Sequence, residues 1–243
     1  MSWDLIQPLD LILFKGTDLV SRLVETVERV GCGWGDVSHV GLVVTSELMP
    51  GVAELVPGTL YIWESTSSLV IPETGEKFVP DVERRTSRFG VQIRDLRAVV
   101  DAYTGVVYWA QLHSNPWSDP TQRPRCIAEV QKLHELYKST HYESNPIALA
   151  SSAVRYMRPL RNLIDYTLVV CHHLTNLLHL TRGPFTQLDA EELTVFCSEF
   201  VSIVLIILRV MPATQTPYDI TPVNILHTLP DLIGAPVQLC PSV

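Results

Sequence analysis

The architecture of this chain is organised around Val195-Phe196-Cys197-Ser198-Glu199-Phe200-Val201, which predicts the first turn of a buried helix. Cys197 stands at the start of that helix, ahead of the apolar run that opens at Phe200. A thiol is a good nucleophile only as the thiolate, which the N–H groups and dipole of a helix N-terminus favour. The stretch therefore predicts a reactive cysteine, against the alternative of an inert core cysteine.

A second stretch lies far upstream, Ser38-His39-Val40-Gly41-Leu42-Val43-Val44, and predicts a strand with a histidine at its start. The remainder of this strand is apolar, so we expect His39 at the edge of the sheet beside a cleft. An imidazole next to a thiol accepts its proton and stabilises the thiolate. His39 is therefore the candidate general base, against the alternative of a surface histidine.

A third candidate stands at the end of the strand predicted over residues 59–64, in Trp63-Glu64-Ser65. We expect this strand to pair with the strand of His39. A carboxylate there can accept the second imidazole N–H and fix the tautomer and orientation of the ring. The alternative is a solvated carboxylate at a strand end. Together the three side chains predict a Cys197–His39–Glu64 triad.

Composition limits the class of protein. The chain has 243 residues, 47% hydrophobic and 18% charged, which is enough to bury a sizeable core. A net charge of -8 without a basic run argues against nucleic acid as a partner. Five cysteines without a Cys-x-x-Cys pair fit a reducing, cytoplasmic compartment. We expect no transmembrane segment, because no stretch reaches about 18 uninterrupted apolar residues.

Strand patterns fill the first half of the chain, and helical patterns gather in the second. Strands are predicted over residues 9–14, 39–44, 59–64, 90–96 and 105–112. Helices are predicted over residues 18–30, 124–137 and 146–180. This order is typical of an α+β fold.

Other chemistries have little support in the sequence. Cys171, His172, His173 and His179 crowd one predicted helix, but zinc sites usually use histidines four residues apart or paired cysteines. The chain has no glycine-rich phosphate loop, no serine nucleophile elbow and no paired acidic motif. We therefore expect neither a metal nor an organic cofactor.

In this order the stretches resemble the permuted NlpC-type papain-like cysteine hydrolases, especially the YiiX-like group. Ser38-His39-Val40-Gly41 is similar to the Ser-His-x-Gly element of that family, and Phe196-Cys197-Ser198-Glu199-Phe200 to its Tyr-Cys-Ser-Glu-hydrophobic turn. Histidine first and cysteine last is the reverse of the order in papain. The resemblance spans roughly residues 9–227.

Further pieces of the resemblance include two departures. Residues 9–14 look like the opening Gly-Asp-hydrophobic strand of the family, with Leu9 in place of glycine. Trp63-Glu64-Ser65 is similar to the strand that supplies the third polar residue. Thr140-His141-Tyr142-Glu143 resembles a Pro-Tyr-Asp element with both flanking residues changed. These departures lie in turns beside the expected site, so they bear on binding more than on chemistry.

The resemblance implies one domain, residues 1–243, with a circularly permuted papain-like fold. A central antiparallel sheet would carry His39 and Glu64 and pack on the helix headed by Cys197. The implied reaction is amide hydrolysis through an acyl-enzyme, with Tyr142 as a candidate to help hold the oxyanion. Residues 146–183 exceed the family core and are interpreted as a helical insertion that lines the cleft, or docks on a partner or membrane surface.

Two other functions remain open. Lecithin retinol acyltransferase-like proteins share the permuted order, so the substrate is an amide or an ester, and lipid acyl hydrolysis or transfer is one alternative. Those proteins typically use histidine as the third residue, so Glu64 favours the amidase group. The other alternative is a structural or interaction protein that retains the fold, such as a virion component, since such genes also occur in large DNA viruses.

Overall fold

A computed structural model describes residues 3–16, 37–67, 79–86, 89–142, 194–217, 220–227 and 231–240. The strands of this part of the chain are β1 (Leu11–Lys15), β2 (His39–Val44), β3 (Tyr61–Ser67), β4 (Phe89–Asp95), β5 (Val106–Ala110), β6 (His141–Tyr142), β7 (Thr194–Val195) and β8 (Val237–Leu239). The helices are α1 (Leu96–Ala102), α2 (Arg123–Tyr137), α3 (Cys197–Ile207) and α4 (Pro222–His227). Short 3-10 turns span Trp3–Leu5 and Pro116–Ser118.

The main sheet has six strands in the order β4-β3-β2-β1-β5-β8, and its neighbouring strands are antiparallel. Strand β2 lies between β1 and β3, so the strand of His39 is directly beside the strand of Glu64. The short strands β6 and β7 form a separate parallel pair. The class is therefore α+β with an antiparallel sheet, which confirms the coarse prediction from the sequence.

Alternation along the strands places apolar side chains on both faces of the sheet, because successive residues of a strand point to opposite sides. One face carries Leu13, Val40, Leu42 and Trp63 and packs on α3, which contributes Phe200. The opposite face carries Ile12, Phe14, Val43 and Ile62 and packs on α1, which contributes Val99. The sheet is thus covered on both sides, which explains why its central strands are apolar along almost their whole length.

Helix α3 is fixed against the sheet by aromatic packing. Phe200 is fully buried and meets Trp63 of β3 edge-on, with ring centroids 4.7 Å apart. Tyr137, the last residue of α2, also packs against the Phe200 ring, with ring centroids 5.7 Å apart. Burying aromatic rings in such edge-on pairs stabilises the fold beyond the area that is covered. These contacts hold the first turn of α3, where Cys197 lies, at a defined place on β3.

Asp10 joins the start of β1 to the end of β5. Its carboxylate is fully buried, and Oδ2 accepts hydrogen bonds from Gln7 N at 2.9 Å and Trp109 Nε1 at 2.8 Å. Oδ1 accepts from Leu112 N at 3.0 Å and Asn115 Nδ2 at 3.2 Å. Burial raises the pKa of Asp10, although these four hydrogen bonds oppose the shift. The aspartate is therefore the acceptor around which this end of the sheet closes.

Leu9, just before Asp10, has a φ of 73°, in the left-handed region that favours glycine. Its side chain is fully buried, so apolar packing offsets the backbone strain. The family that the sequence resembles usually has glycine here. The departure at Leu9 therefore changes the residue, while the backbone keeps a conformation that glycine adopts easily.

Several elements match their predicted positions, and others were not predicted. The five predicted strands correspond to β1–β5, and the helix predicted over residues 124–137 corresponds to α2. Strands β6, β7 and β8 and helix α4 were not predicted. The predicted helix at residues 18–30 and the predicted insertion at residues 146–183 lie outside the described residues. Among the helices of the described ranges, none is long and apolar enough to cross a membrane.

We expect Asp10→Asn to destabilise the protein by about 2–4 kcal/mol, because the amide NH₂ cannot accept and leaves buried donors without an acceptor. The loss should appear as a lower urea midpoint in equilibrium unfolding. Asp231→Asn is the matched control, since Asp231 is exposed. A change no larger than that of the control would contradict the role given to Asp10.

Candidate active site

Three secondary-structure elements present the three predicted site residues. His39 is the first residue of β2, Glu64 lies inside β3, and Cys197 is the first residue of α3. Their positions in the chain are far apart, but β2 and β3 are neighbours and α3 packs on both strands. The structure places His39 in contact with Glu64, and Cys197 is near enough to influence the pKa of His39.

The contact between His39 and Glu64 is short and buried. His39 Nε2 lies 2.5 Å from Glu64 Oε2, and the Glu64 side chain has no exposed surface. The His39 side chain keeps 20% of its surface exposed, so the imidazole is the member of this pair that faces solvent. Because Nε2 is engaged by the carboxylate, Nδ1 is the ring nitrogen left for the thiol.

The side chain of Cys197 also acts on the His39 imidazole. Burial lowers the pKa of His39, but the interactions with Cys197 and with Glu64 outweigh burial and raise that pKa to about 10. An imidazole with this pKa is protonated at neutral pH. A protonated imidazole beside a thiol is the arrangement by which cysteine nucleophiles are activated.

Helix α3 adds the second influence that favours a thiolate. The residue before Cys197, Phe196, has extended backbone with a φ of -78° and a ψ of 165° and gives the first turn no side-chain cap. The N–H groups of Cys197 and Ser198 come before the first hydrogen bond of the helix, in which Phe200 N donates to the carbonyl oxygen of Phe196. They direct partial positive charge towards the thiol and the space in front of it.

Arg94 completes the cluster and was not found from the sequence. Its Nε donates to Glu64 Oε1 at 2.7 Å, and its NH2 group contacts the same oxygen. Burial raises the pKa of Glu64, but the Arg94 guanidinium and His39 bring it below its usual value. One signal was available, because a carboxylate inside an apolar strand needs a cation nearby. Locating that cation required the pairing of β3 with β4.

The glycine two residues after His39, Gly41, is required by the close packing of β2 against β3. A Cβ atom at Gly41 would lie 2.6 Å from side-chain carbons of Ile62 and 3.1 Å from Glu64 Cβ. Real Cβ atoms do not approach other carbon atoms so closely. Glycine therefore provides the space in which Glu64 lies beside β2, and the Ser-His-x-Gly pattern has a steric cause.

Two further contacts fix the parts of the site. Ser65, next to Glu64, donates from Oγ to the carbonyl oxygen of Val195 at 2.8 Å, which ties β3 to the residues just before Cys197. The His39 ring packs against Phe14 of β1 with centroids 5.2 Å apart. In each of these contacts, the two residues lie far apart in the sequence. The site is thus braced by the sheet as well as by its own hydrogen bonds.

Tyr142, the predicted oxyanion candidate, is described only through its backbone. Tyr142 lies in β6 and pairs with Val195 of β7, so its backbone is close to the turn that leads into Cys197. Its side chain lies outside what the structure describes, and so do Cys171, His172, His173 and His179. Among the described side chains, no group of three histidine, cysteine or acidic residues is arranged to hold a metal ion.

We expect Gly41→Ala to slow alkylation of Cys197 by iodoacetamide, because the added methyl group displaces Ile62 and Glu64 and weakens the orientation of His39. Such overpacking should also cost about 1–3 kcal/mol of stability. Peptide mass spectrometry after brief labelling gives the rate. The control is Gly234→Ala, where the nearest atom to an added Cβ would be 3.5 Å away. Equal rates for the two variants would contradict the steric argument.

We expect Cys197→Ala to lower the pKa of His39 from about 10, because the thiolate charge and its hydrogen bond are removed while burial remains. The pKa can be followed by NMR titration of the protein with ¹³C-labelled histidine. Cys240→Ala is the control, since Cys240 is exposed. An unchanged His39 titration in Cys197→Ala would show that the thiol and imidazole do not interact.

A scan of this chain against models of known protein families found no match, and no curated protein matched it either. The resemblance to the permuted NlpC-type hydrolases accordingly rests on the short motifs around His39 and Cys197 and on their order in the chain. The chemical assignment has to come from the cluster of Cys197, His39, Glu64 and Arg94.

Proposed function

We propose that this protein is a cysteine hydrolase that cleaves an amide bond through an acyl-enzyme on Cys197. The observation that carries the proposal is an imidazole that contacts a fully buried carboxylate and also interacts with the thiol of Cys197. Nucleophile, base and orienting group are the components of covalent acyl transfer. A cysteine kept only for packing would not need a histidine that is itself held by a buried ion pair.

In the acylation step, the Cys197 thiolate attacks the carbonyl carbon of the substrate, and the carbonyl π electrons move to oxygen. The tetrahedral intermediate then collapses, the bond to the leaving amine breaks, and the His39 imidazolium gives its proton to the amine nitrogen. A thioester on Cys197 and a neutral His39 remain. The contact with Glu64 keeps the ring oriented for this transfer throughout.

The negative oxygen of the intermediate needs donors that are already in place. Backbone N–H groups of the first turn of α3, beginning with that of Cys197, supply them, because Phe196 provides no side-chain cap. The N–H of Phe196 is not available for this role, since it donates to Glu199 Oε2 at 3.2 Å. The oxyanion is therefore proposed to bind in front of the first turn of α3.

In the deacylation step, neutral His39 accepts a proton from water while the water oxygen attacks the thioester carbonyl. Collapse of the second tetrahedral intermediate releases the carboxylic acid and regenerates the thiolate beside the imidazolium. His39 can serve as acid and then as base because it is the group that gains and loses the proton, whereas Glu64 stays ionised.

The proposal includes the circularly permuted papain-like fold. What supports it is the order of the site residues, with His39 and Glu64 on strands that precede the nucleophile helix, together with the packing of that helix on an antiparallel sheet. The substrate class is proposed to be an amide in a peptide, a peptidoglycan-type stem or another acylated amine. Glu64 in the third position is the feature that favours this class over a lipid ester.

We expect para-nitrophenyl acetate to give a burst of nitrophenolate and an acetyl group on Cys197. Intact-mass measurement after acid quenching, followed by peptide mapping, identifies the acylated residue. The burst should be absent in Cys197→Ala and retained in Cys240→Ser, because Cys240 is exposed and distant from His39 in the fold. An unchanged burst in Cys197→Ala would refute the proposal.

The substrate class has its own test. Peptide, muropeptide and phospholipid panels are incubated with the wild-type protein and with Cys197→Ala, and the products are identified by mass spectrometry. We expect amide cleavage that depends on Cys197. Cysteine-dependent hydrolysis of phospholipid without amide cleavage would instead assign the chain to lipid acyl chemistry.

A further inference from the structure

We propose that Arg94 is a positioning residue of this site, which acts through Glu64 to keep His39 protonated and correctly oriented. The inference rests on the proposed function for its effect on catalysis. Its effect on His39 is argued from the contacts that Glu64 makes with both residues. Neither the motifs of the sequence nor the expected triad includes this arginine.

The geometry of the ion pair divides the two oxygens of Glu64 between two partners. Arg94 Nε donates to Oε1 at 2.7 Å, its NH2 group contacts the same oxygen, and Oε2 lies 2.5 Å from His39 Nε2. The carboxylate cannot rotate without losing contacts on both sides. Arg94 therefore determines which way the Glu64 carboxylate faces, and through it which way the His39 ring faces.

The charges of the site also require Arg94. In the thiolate–imidazolium state that the proposed function uses, Cys197, His39 and Glu64 together carry one net negative charge, and Glu64 is fully buried. A buried charge without a partner is strongly unfavourable in free energy, and the group tends to change its protonation state instead. Arg94, with 17% of its side chain exposed, brings the net charge of the cluster to zero.

Without Arg94, the proton of the imidazolium would move to Glu64. Among the described side chains, the charged groups that face this carboxylate are His39 from β2 and Arg94 from β4, and Cys197 acts on the other side of His39. Burial alone raises the pKa of Glu64, and the guanidinium is the strongest influence in the opposite direction. A neutral Glu64 no longer stabilises the imidazolium. The leaving group would then lose its proton donor.

The position of Arg94 is set independently of the ion pair, which makes the residue testable. Strand β4 pairs with β3 so that Ile62 faces Arg94 and Glu64 faces Gln92, and the arginine reaches Glu64 diagonally. The residue before it, Ile93, donates its N–H to buried Asp81 Oδ2 at 2.9 Å. We therefore expect β4 to keep its register when the Arg94 side chain is replaced.

The experiment compares wild type with Arg94→Met, Arg94→Lys and the control Arg97→Met, which removes an exposed arginine on α1. In Arg94→Met the His39 pKa, measured by NMR titration of ¹³C-labelled histidine, should fall below that of the wild type. The acylation rate of Cys197 by para-nitrophenyl acetate should fall by about tenfold or more. Arg94→Lys should recover part of both, because it restores the charge without the paired donors.

A double-variant comparison separates positioning from direct contact with substrate. If Arg94 acts only through Glu64, then Arg94→Met should have no further effect on acylation or on the His39 titration in a Glu64→Gln background. Removing both buried charges should also leave the protein at least as stable to urea as Arg94→Met alone. A further loss of acylation in the double variant would instead show that Arg94 touches the substrate.

The outcomes keep this inference distinct from the proposed function. A wild-type protein that never acylates Cys197 refutes the hydrolase, and the His39 titration in Arg94→Met still decides the role of Arg94. A His39 pKa equal in wild type and Arg94→Met, with the variant folded by its urea midpoint, overturns the inference. If Arg94→Met does not fold, Arg94→Lys and the double variant supply the same comparison.

Discussion

The carboxylate of Glu64 is a charge without exposed surface, and such a charge persists only where fixed partners balance it. Here the partners come from both neighbouring strands, His39 on β2 and Arg94 on β4. The register of three strands, the glycine at position 41 and the direction of the imidazole all follow from that requirement. The ion pairs of the site therefore also stabilise the sheet, and a change in the strand pairing would alter the position of His39 relative to the thiol.

The nucleophile helix is held to this sheet by apolar contacts, whereas the site is held by charge. Phe200 packs on Trp63, the residue before Glu64, while Ser65, the residue after it, bonds to the turn ahead of Cys197. Strand β3 thus contacts the base on one face and the nucleophile element on the other, through adjacent residues. Because neighbouring residues of a strand face opposite sides, one short segment can coordinate both parts of a reaction centre.

Local patterns were sufficient to predict part of this arrangement. An apolar strand that opens with His39 and an apolar helix that opens with Cys197 carry their signals in a few adjacent residues, and so do β1–β5 and α2. The roles of Arg94 and Asp10 depend on which strands are neighbours in the sheet. The hydrophobic periodicity of the sequence does not show the order of the strands. Strand β8 has three residues, two of them exposed, so its sequence lacks the alternation that predicts a strand.

The order of the strands along the chain has a consequence for how the protein is made. Residues 11–110 contain β1–β5, which are contiguous in the sheet, so His39, Glu64 and Arg94 can neutralise one another before α3 has been synthesised. Translation at about 5–20 residues per second delays Cys197 by several seconds, during which this face of the sheet lacks the contacts that α3 provides. Cys197 can therefore act on His39 only after that helix has docked on the sheet.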